Sequence, residues 1–372
     1  MFSKYSKDKN VSSFTISNID LSIVNSLRRT ILSDVQTVAF YFDINNREPE
    51  KADIYIKTND TPLHNEFLSQ RISMIPIHVL DDEIKNWNSN EYEFSINITN
   101  ESNKSITVTS KDIIVKKNGK TDDKLRERMF PKNAITGDYI LITKLPPSAN
   151  KETKLEATMI AKRGTAEKSA CWSSVSLCTY FNEIDEVKNK KKLEEYIEKH
   201  KNTLSKDAAV ARYNTLDYQR AYKRNEFLEP NEFTFKIEPE CLLSVPTIVH
   251  NALSILSDKI QTLVMFEDDK ISIDSSDDVY NITINEENHT LGNLLQALLY
   301  NIHVRENEGE DISFVGYFVP HPLDKRIILK IKSSLNEFQI KDEMIESFRR
   351  IKNIIDDVLE NWDTFSKEQI IN

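Results

Sequence analysis

Histidine, cysteine and acidic side chains supply most acid–base catalysis and metal binding, and this chain offers few of them in a useful arrangement. His64 and Glu66 are two residues apart in a predicted helix, a spacing that places them on different faces. The seven histidines show no metal-binding spacing. Cys171 and Cys178 are seven residues apart and Cys241 is remote, which is not a zinc-ligand pattern. We therefore expect no catalytic residue, no bound metal and no cofactor.

Nucleotide-binding loops are also missing from the sequence. Glycine is scarce, with 6 residues in 372, and neither G-x-x-x-x-G-K-[ST] nor G-x-G-x-x-G occurs. The net charge of −10 is unfavourable for a protein that neutralises nucleic-acid phosphates directly. No apolar run approaches the roughly 18 residues of a membrane helix, so no membrane contact is expected. The composition predicts that any role with DNA or RNA is indirect.

Arg28 and Arg29 are the residues best suited to binding another macromolecule. They belong to a predicted helix over Ile23–Ser33, where Arg28 falls inside the apolar face and Arg29 just outside it. An arginine at such a place is unfavourable unless a partner supplies acceptors, and its planar guanidinium suits carboxylates and backbone carbonyls. Two interpretations stay open: an ion pair with Asp34 or another acid of this chain, or contact with a partner protein.

The segment that carries this helix occurs twice. Phe14–Leu32 aligns with Ile282–Tyr300 at a constant offset of 268 residues and without a gap. In each copy an alternating strand precedes an amphipathic helix, with Ser22 or Thr290 as the predicted N-cap. This agreement in strand, cap and helix phase favours a duplicated unit. The residues predicted to pack one copy against the other are Ile23, Leu27, Ile31, Leu291, Leu295 and Leu298, with Phe348 and Ile355 from the last helix.

The motifs in the two copies resemble two subunits of eukaryotic RNA polymerase II. The HTLGN sequence within Asn288–Tyr300 and the GYFVPHPL sequence within Ser313–Leu323 resemble the eleventh subunit. Val24–Leu32 and Leu63–Ile77 resemble the third subunit. Both subunits correspond to the bacterial alpha subunit. Two such halves in one chain resemble the fused subunit of large DNA viruses of eukaryotes.

The resemblance implies an α+β fold. Two alpha-like dimerisation units, each of mixed strand–helix–strand order, are expected to pack as an intramolecular pseudo-dimer. The first unit is expected over residues 1–44 and 172–266, and the second over residues 279–372. A β-rich insert domain in the first half is predicted for residues 45–171, and residues 267–278 are expected to be a flexible linker.

Several shorter segments carry expectations of their own. Residues 1–12 are polar and predicted to be mobile. Thr61 and the proline after it predict the start of a helix whose buried stripe includes Phe67. Gly164 is expected to adopt a backbone conformation that other residues avoid. The charged segment 181–225 is predicted to be a solvated surface rather than a nucleic-acid contact, because acidic residues flank its lysines.

With the resemblance, the sequence predicts a non-catalytic assembly platform of a viral DNA-directed RNA polymerase, which seats the two large catalytic subunits for transcription. The resemblance implies that Arg28 and Arg29 face the second-largest, beta-like subunit, and that the second copy faces the largest, beta-prime-like subunit. Small zinc-containing polymerase subunits are further candidate partners. DNA and RNA are expected to be contacted only through the complex. The expected location is the host cytoplasm, in the viral factory, with packaging in the virion as an additional expectation.

Two other classes of protein stay open. A free-standing nucleic-acid enzyme is disfavoured by the missing motifs and the acidic charge. A coiled-coil structural or virion protein would rest on Gln339–Trp362, where apolar residues form a narrow stripe close to a heptad repeat. Copurification separates the three classes, because a platform brings down two very large polypeptides, an enzyme acts alone and a coiled coil associates with itself.

Overall fold

The structure is a computed structural model that describes residues 1–46, 48, 52–148, 152–267, 269–276 and 278–368. It divides into two compact units. The first unit consists of residues 1–31, 177–238 and 249–372, and the second of residues 32–176 and 239–248. Both copies of the repeated segment, apart from Leu32, therefore lie in the first unit.

Helices and strands are mixed along the chain, which confirms the predicted α+β class. The described helices are α1 (Leu21–Ser33), α2 (Asn65–Ser73), α3 (Asp81–Lys85), α4 (Asp123–Met129), α5 (Glu186–His200), α6 (Lys206–Leu216), α7 (Val245–Met265), α8 (His289–Tyr300) and α9 (Glu337–Ser366). The described strands are β1 (Phe2–Asp8), β2 (Val11–Ser17), β3 (Thr37–Phe40), β4 (Ile54–Asn59), β5 (Tyr92–Asn100), β6 (Ile106–Thr109), β7 (Ile114–Lys117), β8 (Lys120–Thr121), β9 (Leu141–Leu145), β10 (Thr153–Met159), β11 (Ala161–Gly164), β12 (Val175–Asn182), β13 (Glu232–Pro239), β14 (Ile271–Ser276), β15 (Val279–Asn285), β16 (Ile312–Phe318) and β17 (Arg326–Ser333).

The first copy belongs to a four-stranded sheet with the order β1-β2-β13-β12. Phe14 of β2 and Phe235 of β13 are cross-strand partners whose rings stack 5.3 Å apart. The expectation that residues 1–12 are mobile is wrong for β1, which pairs with β2 along its length. Phe2 explains the order of this strand, because its ring packs 5.0 Å from that of Trp362 in α9.

The second copy belongs to a sheet with the order β14-β15-β17-β16. Alternation places Tyr280, Ile282 and Ile284 of β15 on the buried face, as the sequence predicts. The flexible coil expected at residues 267–278 is wrong for β14, which pairs antiparallel with β15. Ile271 is 2% exposed, so burial of an isoleucine in this acidic stretch stabilises a strand there.

One hydrophobic core in the first unit joins the two copies. It contains Ile23 of α1 together with residues of α7, α8, α9 and the second sheet. The apolar stripe of α9 lies in this core, and Met344, Phe348 and Ile355 are each 0% exposed. The heptad-like pattern at the C-terminal end is therefore explained by packing within the chain. This argues against a coiled coil between two separate molecules of the protein.

The charged segment 181–225 contains the helix pair α5 and α6. The two helices are joined by a hydrogen bond of 3.0 Å from the Tyr213 hydroxyl to Asn189 Oδ1, and both residues are buried. Lys190 and Lys191 are exposed on α5. This is the arrangement of a solvated helix face.

The second unit is rich in β-structure. Its largest sheet has the order β4-β10-β5-β7-β8, and two-stranded sheets pair β11 with β3 and β6 with β9. The helix predicted to start at Thr61 begins at Asn65, with His64 as the N-cap residue. The buried stripe predicted for this helix is wrong at Phe67, which is 60% exposed. Leu68 and Ile72, one turn apart, form the inner face, and Phe67 lies about 100° around the helix from Leu68.

Gly164 has a different role from the one predicted. Its backbone does not need the left-handed conformation, but a Cβ atom at this position would lie 2.4 Å from the Trp172 ring. Glycine is required here because the indole ring packs directly on the backbone of β11.

Both predicted N-caps lie two residues too late. Asp20 Oδ1 accepts hydrogen bonds from the backbone N–H of Ser22 at 2.7 Å and from its hydroxyl at 2.6 Å. Asn288 Oδ1 accepts from the backbone N–H of Thr290 at 2.8 Å. Asp and Asn are preferred N-cap residues, so Ser22 and Thr290 belong to the first helical turns. The Thr290 hydroxyl is thereby left for another contact.

Candidate assembly interface

The seam between the two copies is formed by α1 and α8. Strand β2 precedes α1 and strand β15 precedes α8, and α8 packs on its own sheet through the core that it shares with β15, β16 and β17. The residues predicted to pack across the seam, which are all 4% exposed or less, are Ile23, Leu27, Ile31, Leu291, Leu295, Leu298, Phe348 and Ile355. The shared core contains six of them, whereas Leu27 and Ile31 are buried outside that cluster.

Polar contacts also cross the seam. Ser26 Oγ donates to the Thr290 carbonyl at 3.3 Å, and Arg29 Nε donates to Thr290 Oγ1 at 2.7 Å. Asn301 Nδ2 donates to Asp20 Oδ2 at 3.0 Å. The start of α1 contacts the end of α8, at Asp20 and Asn301, and later residues of α1 contact Thr290 at the start of α8. The two helices therefore run antiparallel. Antiparallel helices from a repeated unit are the expected geometry of a pseudo-twofold axis.

Arg28 is half-buried on the first sheet's side of α1. Its Nε and Nη2 atoms donate to Asn25 Oδ1 at 3.2 and 3.1 Å, one turn earlier in the same helix. Burial raises the pKa of Cys178 to about 12, and the positive charge of Arg28 opposes that rise. The guanidinium therefore lies near β12. Its hydrogen-bond partner is a neutral amide rather than a carboxylate, so this bond does not neutralise the positive charge of Arg28.

Arg29 points in another direction, toward the second copy. Its side chain is exposed and contacts Thr290. Burial raises the pKa of Tyr317, and the charge of Arg29 opposes that rise, so this arginine lies near β16 as well. The two consecutive arginines thus have separate surroundings, and Arg29 takes part in joining the copies.

Tyr317 is the residue of this region that the sequence reasoning missed. A Cβ atom on Gly292 would lie 2.5 Å from the Tyr317 ring, so the ring rests on the glycine of the HTLGN motif. The Tyr317 hydroxyl is 3.2 Å from His289 Nδ1. Gln296, the counterpart of Arg28, accepts a hydrogen bond of 3.1 Å from the Tyr317 backbone N–H. The motif therefore fixes α8 against the edge strand of its sheet.

A cleft of about 930 Å³ opens beside α8 in the first unit. Its walls are residues 18–22 at the start of α1, the loop 225–231, and α8 with the turn that follows it. On its rim Arg305 donates to Glu229 at 2.7 Å, which lowers the pKa of that carboxyl group, and the guanidinium stacks 4.3 Å from the Phe227 ring. No motif in the sequence marks this cleft, because its walls come from three distant segments.

Within the described ranges, no group of three or more His, Cys, Asp or Glu side chains is placed to hold a metal ion. The three cysteines are free thiols. No described helix is both long and apolar enough to cross a bilayer.

Comparison with known proteins identifies both halves. Residues 13–260 and, separately, residues 280–361 match the RNA polymerase Rpb3/Rpb11 dimerisation domain. The first match alone covers more than half of the chain.

Individual relatives cover different parts of the chain. DNA-directed RNA polymerases IV and V subunit 3B of Arabidopsis thaliana is 23% identical over 293 residues, 67% of this chain and 86% of that protein. DNA-directed RNA polymerase II subunit RPB3 of Schizosaccharomyces pombe is 24% identical over 298 residues, 75% of this chain and 91% of that protein. Probable DNA-directed RNA polymerase II subunit RPB11 of Caenorhabditis briggsae is 34% identical over 77 residues, 20% of this chain and 57% of that protein. The chain belongs to the RNA polymerase Rpb3/Rpb11 dimerisation-domain family, and it carries two matches to that family in one polypeptide.

Proposed function

We propose that this chain, an Rpb3/Rpb11-like RNA polymerase assembly subunit, is the platform on which the two large subunits of a viral DNA-directed RNA polymerase assemble. The observation that carries the proposal is the single core that unites α1 of the first family match with α8 and α9 of the second. A pair already joined within one chain presents a rigid surface without a prior association step. The chain itself is proposed to have no catalytic turnover, to carry no cofactor, and to contact DNA and RNA only through the complex.

The two large subunits are proposed to occupy unlike faces. Arg28, which is half-buried and bonded to an amide, retains a charge that a carboxylate or backbone carbonyl of a partner would satisfy. We assign the face with Arg28 and Arg29 to the second-largest subunit. In the second copy Gln296 and Ala297 stand at the equivalent positions, and this face is assigned to the largest subunit. Small zinc-containing subunits of the polymerase are further proposed partners.

The viral origin is supported by the fusion of both halves, which resembles the single-chain form in large DNA viruses of eukaryotes. On this proposal the complex works in the viral factory of the host cytoplasm and is also packaged in the virion. Detection of the chain in purified particles, in the same molar amount as the large subunits, would support packaging. Its absence from particles that contain both large subunits would contradict it.

Coexpression tests the platform directly. The tagged full-length chain is coexpressed with the two large polymerase subunits of the same genome, captured, and washed with increasing salt. We expect recovery of both large polypeptides in equal amount. Recovery of neither, from a chain that is folded by circular dichroism, would contradict the proposal.

The assignment of faces needs separate arginine variants, because Arg29 also joins the two copies. Arg28→Ala is expected to leave thermal stability unchanged but to weaken retention of the second-largest subunit. Truncating an arginine that is desolvated in an interface lowers the binding free energy by about 2 kcal/mol or more. Arg349→Ala is the matched control, because Arg349 is exposed on α9 and pairs only with Glu346 on the same helix among the described contacts. Undiminished retention by the Arg28 variant would show that this face is not the contact.

A further inference from the structure

The cleft beside α8 lies where the pseudo-twofold relationship is broken. The 268-residue offset pairs Thr290 with Ser22 and Arg29 with Ala297. At one end of the helix pair, the long side chain of Arg29 reaches Thr290 and bridges the two helices. At the equivalent end, Ala297 and Ser22 both line the cleft. A single methyl group cannot span the distance that an arginine spans, so an open space remains.

The charge of the cleft is unbalanced. Four carboxylates line it, against one guanidinium, that of Arg305. Arg305 is already paired with Glu229, and Glu306 is paired with Arg350 from outside the lining, so the charges of Asp20 and Glu226 remain without an ion pair among the described contacts. Glu226 lies exposed on the rim of the loop. An occupant with positive charge would complement this lining. The acidic lining residues are Asp20, Glu226, Glu229 and Glu306.

The uncharged lining suits a polypeptide in an extended conformation. Side-chain amides both donate and accept hydrogen bonds, as backbone groups do, and six of them line the same space. Asn225, Gln296 and Asn301 also make hydrogen bonds within the chain. Exposed apolar surface lies between them, with Leu21 39%, Tyr300 42% and Phe227 50% exposed. Such a mixture can hold a peptide backbone and one apolar anchor. The amide residues of the lining are Asn18, Asn225, Asn231, Asn293, Gln296 and Asn301.

We infer that this cleft binds a basic, extended segment of a partner subunit. The inference rests on the proposed function, which supplies the partner subunits. Ala297 occupies the position in the second copy that is equivalent to Arg29. On this inference, the alanine leaves one end of the helix pair open as a binding site. At the other end the two helices are bridged by the contact between Arg29 and Thr290.

Site-directed photocrosslinking in the assembled complex tests the inference. Phe227 on the rim of the cleft is replaced by benzoylphenylalanine, which preserves an aromatic side chain at an exposed position. Phe338, which is 85% exposed and outside the cleft, receives the same replacement as the matched control. We expect position 227 to crosslink to one segment of a partner subunit that is rich in lysine or arginine, and position 338 to give no such product.

Two variants of the cleft and one control variant then test the crosslink. Ala297→Arg fills the cleft and adds positive charge, whereas Asn353→Arg adds the same charge on the exposed face of α9. Glu226→Lys reverses a charge on the rim without touching the core, so it remains informative if Ala297→Arg does not fold. We expect the first and third variants to lower the crosslink yield about tenfold and the second to leave it unchanged.

The outcomes separate the two proposals. If both large subunits copurify but position 227 crosslinks no more than position 338, the cleft assignment is overturned and the platform stands. A crosslink to an acidic segment or to nucleic acid, or a yield unaffected by Glu226→Lys, also overturns it. If no complex forms with the folded chain, the platform proposal is lost and the cleft inference with it.

Discussion

Arg29 of the first copy donates its Nε hydrogen to Thr290 Oγ1 of the second copy over 2.7 Å. Thr290 is free to accept because Asn288, two residues earlier, has taken the N-cap position. The capping of one helix thus determines how the other is joined to it. Removal of either side chain should loosen the seam without disturbing the hydrophobic core.

A double-mutant cycle measures this contact. Arg29→Ala and Thr290→Val are each expected to lower the free energy of unfolding slightly, with a coupling energy of up to about 1 kcal/mol, because the contact is exposed. Chemical denaturation of the parent, both single variants and the double variant gives the coupling. Additive effects would show that the two side chains do not interact in solution.

Leu295→Ala should destabilise the first unit by about 2–5 kcal/mol, because this fully buried residue belongs to the core shared by both copies. Ile354→Ala is the matched control on α9, where the side chain is 37% exposed and the loss should be below about 1 kcal/mol. Urea unfolding monitored by circular dichroism distinguishes the two. Equal losses would indicate that α8 does not pack in a shared core.

Gly292→Ala should destabilise the chain by about 1–3 kcal/mol, because the new Cβ atom would overlap the Tyr317 ring. Combining it with Tyr317→Leu should recover part of that loss, since the smaller, non-planar side chain can move away from α8. Thermal unfolding of the three variants is the measurement. A Gly292→Ala chain as stable as the parent would show that Tyr317 does not rest on the helix.

His303 should make stability depend on pH. Its side chain is 4% exposed, Nε2 lies 2.7 Å from Ser347 Oγ, and burial lowers its pKa below the usual value near 6.5. The unfolded chain therefore binds a proton more readily, and stability should fall as the pH drops below about 6.5 toward the lower folded-state pKa.

The comparison variant for this effect is His303→Asn, which cannot titrate in that range. Relative to this variant, the parent should lose more stability between about pH 7.5 and pH 5. The difference between the two curves isolates the histidine from the many carboxylates that titrate at lower pH. Parallel curves would mean that His303 is not held in its neutral form.

The helix pair could be predicted because the spacing of apolar residues, repeated in both copies, indicates which side chains are buried. The buried face of β15 and the stripe of α9 follow from the same signal. The N-caps were misplaced by two residues because Ser22 and Thr290 are as suitable by type as Asp20 and Asn288, and only backbone geometry selects between them. Local residue preference could not decide the matter.

Other features depended on contacts between distant residues. Strand β14 was missed because its acidic composition resembles a linker, although Ile271 is buried against the second copy. The demand for glycine at position 164 arises from Trp172, and that at position 292 from Tyr317. The cleft beside Ala297 forms only where distant segments of the chain meet. None of these relationships leaves a pattern within one short window of sequence.

Strand β14 also determines how α1 and α8 separate and pack together again. Helix α7 ends at Met265 and β14 begins at Ile271, so only a short stretch connects the first family match to the sheet of the second. The effective concentration of one copy near the other is then in the millimolar range or above, however dilute the protein is. Separation and reclosure of the seam are first-order events. The melting temperature should therefore not change with protein concentration, in contrast to a pair of separate chains.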